Sequence, residues 1–208
     1  MMGTIVVVGG AFNPLSKAHG EMMRTAKKMV RADKVIIVPA ADRFLRSWKK
    51  FDDGSIVPVE AREKALAEFC RRNPWASVSD IETSGRSQST YDTLSAIRAD
   101  NQGDRIFLAF GTDKLSELNR WHEWQKLLSE FEFAVVRRDD DDVRSILPEC
   151  LFLRPYIKNF QFCVRKARYA YVSSTKIREA LAAGDMAAAK KMTYSYVIDA
   201  LRESGAVK

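Results

Sequence analysis

The sequence has no long apolar run, no cysteine pair and only two histidines. No segment of its 208 residues approaches the length of a membrane span, and the N-terminus has no basic region followed by an apolar stretch and a cleavage site. Cys70, Cys150 and Cys163 form no CxxC pair, and the histidines lie far from them in sequence. These absences argue against a membrane partner, a disulfide framework and a zinc site. They predict a cytoplasmic protein with reduced thiols.

Basic residues outnumber acidic ones by 34 to 27, which gives a net charge of +7. They recur in short pairs, such as Lys27-Lys28 and Arg71-Arg72, rather than in one long block. This excess is compatible with a nucleic acid or with a small polyanion such as a nucleotide as the partner. We find no recognised nucleic-acid-binding motif, so a nucleic acid is not the expected partner. The sequence leaves the oligomeric state open, with a homo-oligomer among the alternatives.

Alternating strand and helix patterns predict an α/β fold. Residues 5–8 form an apolar run typical of a buried strand, residues 21–31 have helical spacing, and residues 34–38 form a second strand. Such a βαβ unit implies a right-handed crossover and a parallel sheet. Further strands are expected at 76–79, 105–110 and 132–137. Helices are expected at 58–72, at 90–99, up to 181 and at 196–203, with one or two more over 115–128. The length favours a single domain over residues 1–208, with a small C-terminal helical part over 172–208.

Two charged stretches between these elements lack a clear periodicity. Residues 40–57 include Arg43, Lys49 and Lys50 and follow the carboxyl end of a strand, where ligands of parallel sheets bind. We interpret this stretch as a functional loop or, with comparable weight, as a surface excursion. In the acidic run 139–142, four adjacent carboxylates cannot all point at one ion. We therefore interpret it as a solvated turn or a helix start rather than a metal site.

A glycine turn connects the first strand to the first helix. The strand runs into Gly9 and Gly10, and a helix pattern begins after Pro14, with His19 in or near its first turn. Glycines let the backbone turn sharply and approach a ligand closely. The helix N-terminus that follows offers free N–H groups and a favourable dipole to an anion. This candidate phosphate site matches neither the Walker loop, which ends in Gly-Lys-Ser/Thr, nor the GxGxxG fingerprint.

Segments at the two ends of the chain resemble the signatures of one enzyme family. Residues 9–19, GGAFNPLSKAH, resemble the GG-x-F-D/N-P-x-H-x-G-H signature of the nucleotidyltransferase superfamily, and residues 172–178, VSSTKIR, resemble its I-S-S-T-x-I-R signature. Between them, residues 111–113 with Trp121 resemble the G-x-D…W segment of the nicotinate and nicotinamide mononucleotide adenylyltransferases. Residues 90–94 resemble their Thr-x-x-Thr-Leu segment. The likeness implies a doubly wound parallel sheet of the Rossmann-like nucleotidyltransferase type.

The same resemblance implies adenylyl transfer from ATP to nicotinate or nicotinamide mononucleotide. The reaction would form a dinucleotide in NAD biosynthesis and release pyrophosphate. An in-line attack on the α-phosphorus needs no covalent protein intermediate, so catalysis can consist of positioning and of stabilising charge on phosphate oxygens. A Mg²⁺ ion that bridges the phosphates is expected, with no dedicated protein ligands. The implied partners are therefore ATP and a pyridine mononucleotide.

The resemblance also implies roles for individual residues. His19 would donate to the α-phosphate, Arg178 would bind the leaving pyrophosphate, and Ser16 and Lys17 complete the candidate catalytic group. The candidate ATP site comprises Gly9, Gly10, Ala11, Phe12, Gly111, Asp113 (at the ribose), Ser173, Ser174, Thr175 and Arg178. The candidate mononucleotide site comprises Asn13, Lys49, Thr90, Trp121 and Arg138. As alternatives, His19 and the hydroxyls of residues 173–175 could serve purely as helix caps, and Trp121 could be an ordinary core residue.

One position departs from the family pattern. The first signature histidine falls at Ser16, and the glycine before the second histidine falls at Ala18. A hydroxyl carries no positive charge, and losing one charge-stabilising donor typically costs about 2.7–4 kcal/mol of transition-state stabilisation. Nearby basic side chains could replace that charge, namely Lys17, Arg43, Lys49 and Lys50. Three hypotheses remain: an active pyridine-mononucleotide adenylyltransferase, a related transferase with another acceptor such as phosphopantetheine, and a nucleotide-binding protein that has lost catalysis.

Overall fold

Six short segments pair side by side into one sheet in the computed structural model, which describes residues 2–47, 56–137, 143–163 and 165–206. The strands are β1 (Thr4–Gly10), β2 (Lys34–Pro39), β3 (Ala76–Val78), β4 (Arg105–Gly111), β5 (Glu132–Val136) and β6 (Phe160–Cys163). Their order is β3-β2-β1-β4-β5-β6, and each neighbouring pair is parallel. The predicted parallel α/β fold is confirmed. This order reverses direction between β1 and β4, which makes a topological switch point there.

Helices link the strands and end the chain. They are α1 (Lys17–Met29), α2 (Asp42–Ser47), α3 (Val59–Arg72), α4 (Thr90–Asp100), α5 (Trp124–Glu130), α6 (Val143–Ile146), α7 (Ser174–Ala182), α8 (Met186–Met192) and α9 (Ser195–Glu203). Three segments are 3-10 helices, at Thr112–Arg120, Leu147–Glu149 and Leu151–Asn159. The C-terminal part is helical, as the sequence predicts.

Three local features of the structure were not predicted. Residues 40–57 were expected to lack regular structure, but α2 lies within them. The sequence also gives no signal for α8, which is capped by Asp185, or for the strand β6. Over 115–128, where one or two helices were expected, the structure has a 3-10 helix and α5, because Glu123 between them adopts a left-handed φ of 51°. Such a residue cannot continue an α-helix.

The strand β1 shows why the sheet is covered on both faces. Val6 and Val8 pack in one core with α1, α3 and the C-terminal helices α7 to α9. Ile5 and Val7 pack in a second core with α4, α5 and the 3-10 segments. Successive side chains of a strand point to opposite faces of the sheet, so a run without polar alternation requires burial on both faces.

The C-terminal helices pack closely against α1. Gly20 in α1 faces Tyr194, and a Cβ at position 20 would collide with the hydroxyl oxygen of that tyrosine. Only glycine allows this approach. Across the described ranges, no helix is long and apolar enough to span a membrane.

Candidate functional site

The strands β1 and β4 separate at the switch point before either of them ends. The two strands pair from Thr4↔Arg105 to Val7↔Leu108, and they then continue to Gly10 and Gly111. Gly9 is exposed, and a Cβ built there would meet no atom within 4 Å. Ligands of open parallel sheets bind in the crevice at this point. The predicted phosphate turn therefore lies where this fold accepts ligands.

The turn after β1 has an uncommon backbone conformation. Phe12 has φ 44°, in the left-handed region that is costly for a residue with a Cβ. Its ring is buried and lies so close to Gly10 that a Cβ there would be 3.3 Å from it. The amide oxygen of Asn13 accepts a hydrogen bond from the Val57 N–H at 2.7 Å. Buried packing and this hydrogen bond hold the turn in its strained conformation.

Arg62 on α3 ties the ends of β1 and β2 together. Its guanidinium donates to the carbonyl oxygens of Ala11 at 3.0 Å, Ala40 at 2.8 Å and Val57 at 3.1 Å, and forms an ion pair with Asp42. Arg62 is 1% exposed, so these contacts are made away from solvent. Sequence reasoning missed this residue, because nothing local distinguishes it from the other charges of α3.

His19 lies in the first turn of α1 and is coupled to the residue that caps this helix. Ser16 is the N-cap, and its Oγ accepts a hydrogen bond from the His19 N–H at 3.2 Å. The Nδ1 atom of His19 accepts from the Ser16 N–H at 3.1 Å and lies 3.0 Å from Ser16 Oγ. The Phe12 ring meets the imidazole edge-on, with 5.0 Å between ring centroids. The position that departs from the family pattern is thus a buried helix cap.

The second signature segment contacts the first one directly. Ser173 caps α7 by accepting from the Lys176 N–H, and the Ser174 hydroxyl donates to the Pro14 carbonyl oxygen at 2.9 Å. The Arg178 guanidinium donates to the Asn13 carbonyl oxygen at 2.7 Å. Burial lowers the pKa of Arg178 from its ordinary value. The structure therefore brings together the two segments that the sequence places at opposite ends of the chain.

The start of α1 is also fastened to the C-terminal helices. The Lys17 ammonium donates to the Lys190 carbonyl oxygen at 2.7 Å, and the Thr193 hydroxyl donates to the Leu15 carbonyl oxygen at 2.5 Å. Thr193 is 1% exposed. Lys17, a candidate catalytic residue, is thus engaged with α8, and sequence reasoning gave no signal for Thr193.

A cleft of about 860 Å³ opens beside the glycine turn. Gly9, Gly10 and Ala11 form part of its wall, and Thr90 and Trp121 line it as well. Two candidate mononucleotide-binding residues from separate parts of the sequence thus share one cavity with the phosphate turn. Trp124 packs elsewhere, against Phe152 and Tyr156, with ring centroids 5.7 and 6.4 Å away.

The cleft contains a cluster of hydrogen-bonded polar residues, of which the sequence analysis singled out only Arg43. Glu82 accepts a hydrogen bond from the Thr93 hydroxyl at 3.0 Å, Thr93 contacts the Ser87 hydroxyl at 2.7 Å, and Arg43 donates to the Ser87 carbonyl oxygen at 3.0 Å. Burial raises the pKa of Glu82, while the Thr93 hydrogen bond and the Arg43 charge oppose that rise. Glu82 precedes a polar loop without any pattern, so the sequence gave no signal for it.

Comparisons with known proteins agree with this geometry. The profile of the cytidylyltransferase-like family matches residues 7–180. The chain is 30% identical over 176 residues to a "probable nicotinate-nucleotide adenylyltransferase" of Fusobacterium nucleatum, which covers 84% of this chain and 85% of that one. A protein of the same name from Roseiflexus is 29% identical, with 86% of each chain covered.

The chain belongs to the cytidylyltransferase-like family. It is a nucleotidyltransferase, and the resemblance inferred from the two signatures is confirmed. Its fold is similar to that of a Plasmodium falciparum nicotinic acid mononucleotide adenylyltransferase complexed with NaAD. The TM-score is 0.76 at 18% identity, with 97% of this chain and 95% of that one covered.

The remaining candidate residues of this nucleotidyltransferase are placed as follows. Gly111 ends β4, and Asp113 follows it in the 3-10 helix, with its carboxylate 3.3 Å from the Lys114 ammonium. Thr175 lies 3.4 Å from Arg178 through its hydroxyl. Some predicted features lie outside the described residues: Lys49, Lys50, Arg138 and the acidic run 139–142. Within the described part of the chain, no group of three or more His, Cys, Asp and Glu side chains could hold a metal ion.

Proposed function

We propose that this nucleotidyltransferase transfers the adenylyl group of ATP to nicotinate mononucleotide, forming the dinucleotide and releasing pyrophosphate. The observation that carries the proposal is the position of the cleft. It holds Trp121 and Thr90 and shares its wall with Gly9, Gly10 and Ala11, the turn that leads to His19. The names of the two bacterial relatives support nicotinate as the base.

The reaction requires a phosphate oxygen of the mononucleotide to attack the α-phosphorus of ATP while the bond to pyrophosphate breaks. Negative charge moves onto the phosphate oxygens, so donors placed around them accelerate the reaction. His19 would donate to the α-phosphate. The N–H groups of the glycine turn and of the α7 N-terminus would bind the other phosphates. Arg178 would contact the leaving pyrophosphate.

The mononucleotide would occupy the cleft that is lined by the glycine turn, Thr90 and Trp121. Trp121 supplies a flat aromatic face on which a pyridine ring can stack, and Thr90 supplies a hydroxyl nearby. Arg43 is exposed and lines the same cleft, so its charge is available to an anionic group of this substrate. Lys49 and Arg138 would complete the proposed contacts, and Asp113 would hold the ATP ribose. Asn13, also a candidate contact, is 1% exposed, and its amide oxygen already accepts from the Val57 N–H, so we assign it to the turn rather than to the substrate.

Magnesium would arrive with ATP. Enzymes that act on nucleoside triphosphates generally use a divalent metal ion, and Mg²⁺ is bound mainly by substrate phosphates and water. The chain's own contribution is then to bind and orient the two phosphate groups.

Steady-state assays with ATP, Mg²⁺ and one acceptor at a time test the proposal. We expect dinucleotide and pyrophosphate with nicotinate mononucleotide, and much less with nicotinamide mononucleotide or phosphopantetheine. His19→Ala should lower kcat by a factor on the order of 10²–10³, the usual effect of removing one charge-stabilising donor. Lys28→Ala, an exposed change on the same helix, should leave it unchanged. Demonstrated ATP binding without pyrophosphate release for any acceptor would refute the proposal.

A further inference from the structure

Ser16 and His19 bond to each other in both directions. The Ser16 hydroxyl oxygen accepts from the His19 N–H at 3.2 Å, and His19 Nδ1 accepts from the Ser16 N–H at 3.1 Å. This reciprocal arrangement is a capping box in which a histidine replaces the usual glutamate or glutamine. It therefore fixes the imidazole as well as the helix start.

The main-chain N–H of Ser16 decides which imidazole nitrogen carries the proton. A hydroxyl can donate or accept, but a main-chain N–H can only donate. Because that N–H points at Nδ1, this nitrogen must offer its lone pair, and the proton of the neutral ring then lies on Nε2. The Ser16 hydroxyl, 3.0 Å from the same nitrogen, can direct its own proton at Nδ1 and strengthen this state.

Ser16 itself is closed to substrate. It is 1% exposed, and its hydroxyl oxygen already accepts from the His19 main chain. A direct phosphate contact from this side chain, in place of the histidine that the family pattern has here, would require it to leave both partners. Its effect on the reaction must therefore pass through His19.

We propose that Ser16 is a positioning residue that holds His19 in the tautomer with Nδ1 unprotonated and Nε2 protonated. Nε2 then carries the donor proton of the neutral ring, without a second imidazole in the signature. The contribution of this donor to catalysis rests on the proposed function. The tautomer itself does not, because it follows from contacts within the chain.

Nitrogen-15 NMR of histidine-labelled protein at pH 8.5 tests the tautomer directly. The chain has only two histidines, so His122→Gln assigns both sets of signals. We expect His19 Nδ1 to show the shift of an unprotonated nitrogen and Nε2 that of a protonated one. A protonated Nδ1, or an equal mixture of tautomers, in the unmodified protein overturns the proposal without any need for a variant.

Two substitutions then test whether residue 16 controls the ring. Ser16→Thr keeps the hydroxyl and should keep the tautomer. Ser16→Asp keeps a good N-cap and the main-chain N–H, but its carboxylate cannot donate to Nδ1 and competes with that N–H as an acceptor, so the fraction of rings with Nδ1 protonated should rise. If that fraction is unchanged in the folded Ser16→Asp protein, the side chain of residue 16 does not help to set the tautomer, and its positioning role is overturned.

The kinetic comparison separates positioning from a merely structural role. Where NMR shows that Nε2 has lost its proton, kcat should fall by a factor on the order of 10²–10³, with little change in KM, while Ser16→Thr retains kcat. An unprotonated Nε2 with unchanged kcat overturns the catalytic part. If the unmodified protein shows the expected tautomer but transfers no adenylyl group, the proposed function fails and the positioning role of Ser16 stands.

Discussion

The guanidinium of Arg178 donates to the main-chain oxygen of Asn13 at 2.7 Å, across 165 residues of sequence. Asn13 is 1% exposed, so this bond forms in a largely dry environment. It joins the helix of the second signature to the turn of the first. The two halves of the proposed ATP site are therefore held in one geometry before any substrate binds.

Replacing Arg178 should affect stability and activity separately. Arg178→Ala removes the donor to a buried carbonyl oxygen, at a cost of about 1–3 kcal/mol in the free energy of unfolding. Arg178→Lys restores a charge but not the planar fork, so we expect it to recover part of the stability and little of kcat/KM for ATP. Urea unfolding and steady-state kinetics measure the two effects. Lys176→Ala, an exposed change on the same helix, is the control; equal losses there would refute a specific role for Arg178.

Arg62 should be among the costliest charged residues to replace. Arg62→Met leaves its three carbonyl partners and Asp42 without their donor, and breaking a buried ion pair costs about 3–5 kcal/mol. Arg71→Met on the same helix removes an exposed pair with Glu68, which solvent screens and which Arg72 can replace, so the loss should be small. Urea unfolding of both variants checks this contrast. If Arg62→Met lowered the free energy of unfolding as little as Arg71→Met does, Arg62 would not be holding the ends of β1 and β2 together.

The two neighbouring tryptophans should behave differently. Trp121→Ala removes an aromatic face from the cleft, and aromatic pairing is worth about 0.5–1.5 kcal/mol. We expect the KM for nicotinate mononucleotide to rise by up to about tenfold. Tm should fall as well, because Trp121 also packs against Phe110, with 6.1 Å between ring centroids. Trp124→Ala removes contacts with Phe152 and Tyr156, so it should lower Tm and leave this KM unchanged. The reverse pattern would place the pyridine ring elsewhere.

Glu82 should make stability depend on pH. Burial raises its pKa in the folded state above the ordinary value of 4.5. The unfolded chain therefore releases this proton at a lower pH than the folded protein does. As pH rises from about 4.5 through the folded-state pKa, the buried carboxyl costs stability. The Tm of Glu82→Gln relative to the unmodified protein should therefore increase between pH 4 and pH 8.

Glu68 provides a control of opposite sign. Hydrogen bonds from Arg71 and Arg72 lower its pKa to about 2. Its stabilising contribution is present above the ordinary value of 4.5 and is lost as pH falls toward about 2. Glu68→Gln should therefore lower Tm at pH 8, with a deficit that shrinks as the solution is acidified. Parallel pH profiles for both variants would contradict the assigned environment of Glu82.

Much of the fold could be predicted because its signals are local. The apolar runs of β1, β2 and β4 fit only a sheet that is buried on both faces, and the helical crossover connections make that sheet parallel. By contrast, α2 and α8 have six and seven residues. Helices this short depend on tertiary contacts rather than on their own periodicity. For α2 these contacts include the ion pair of Asp42 with Arg62.

The sequence by itself determined the strands β1 to β5, the main helices and the two signature segments. It also contained the Ser16–His19 pair, because residues three apart meet in the first turn of a helix. Only the tertiary structure decided that Arg178 reaches Asn13, that Arg62 reaches Ala11, and that Glu82 lies in the cleft with Trp121. These contacts join distant segments, and their partners are defined only when the helices pack onto the sheet.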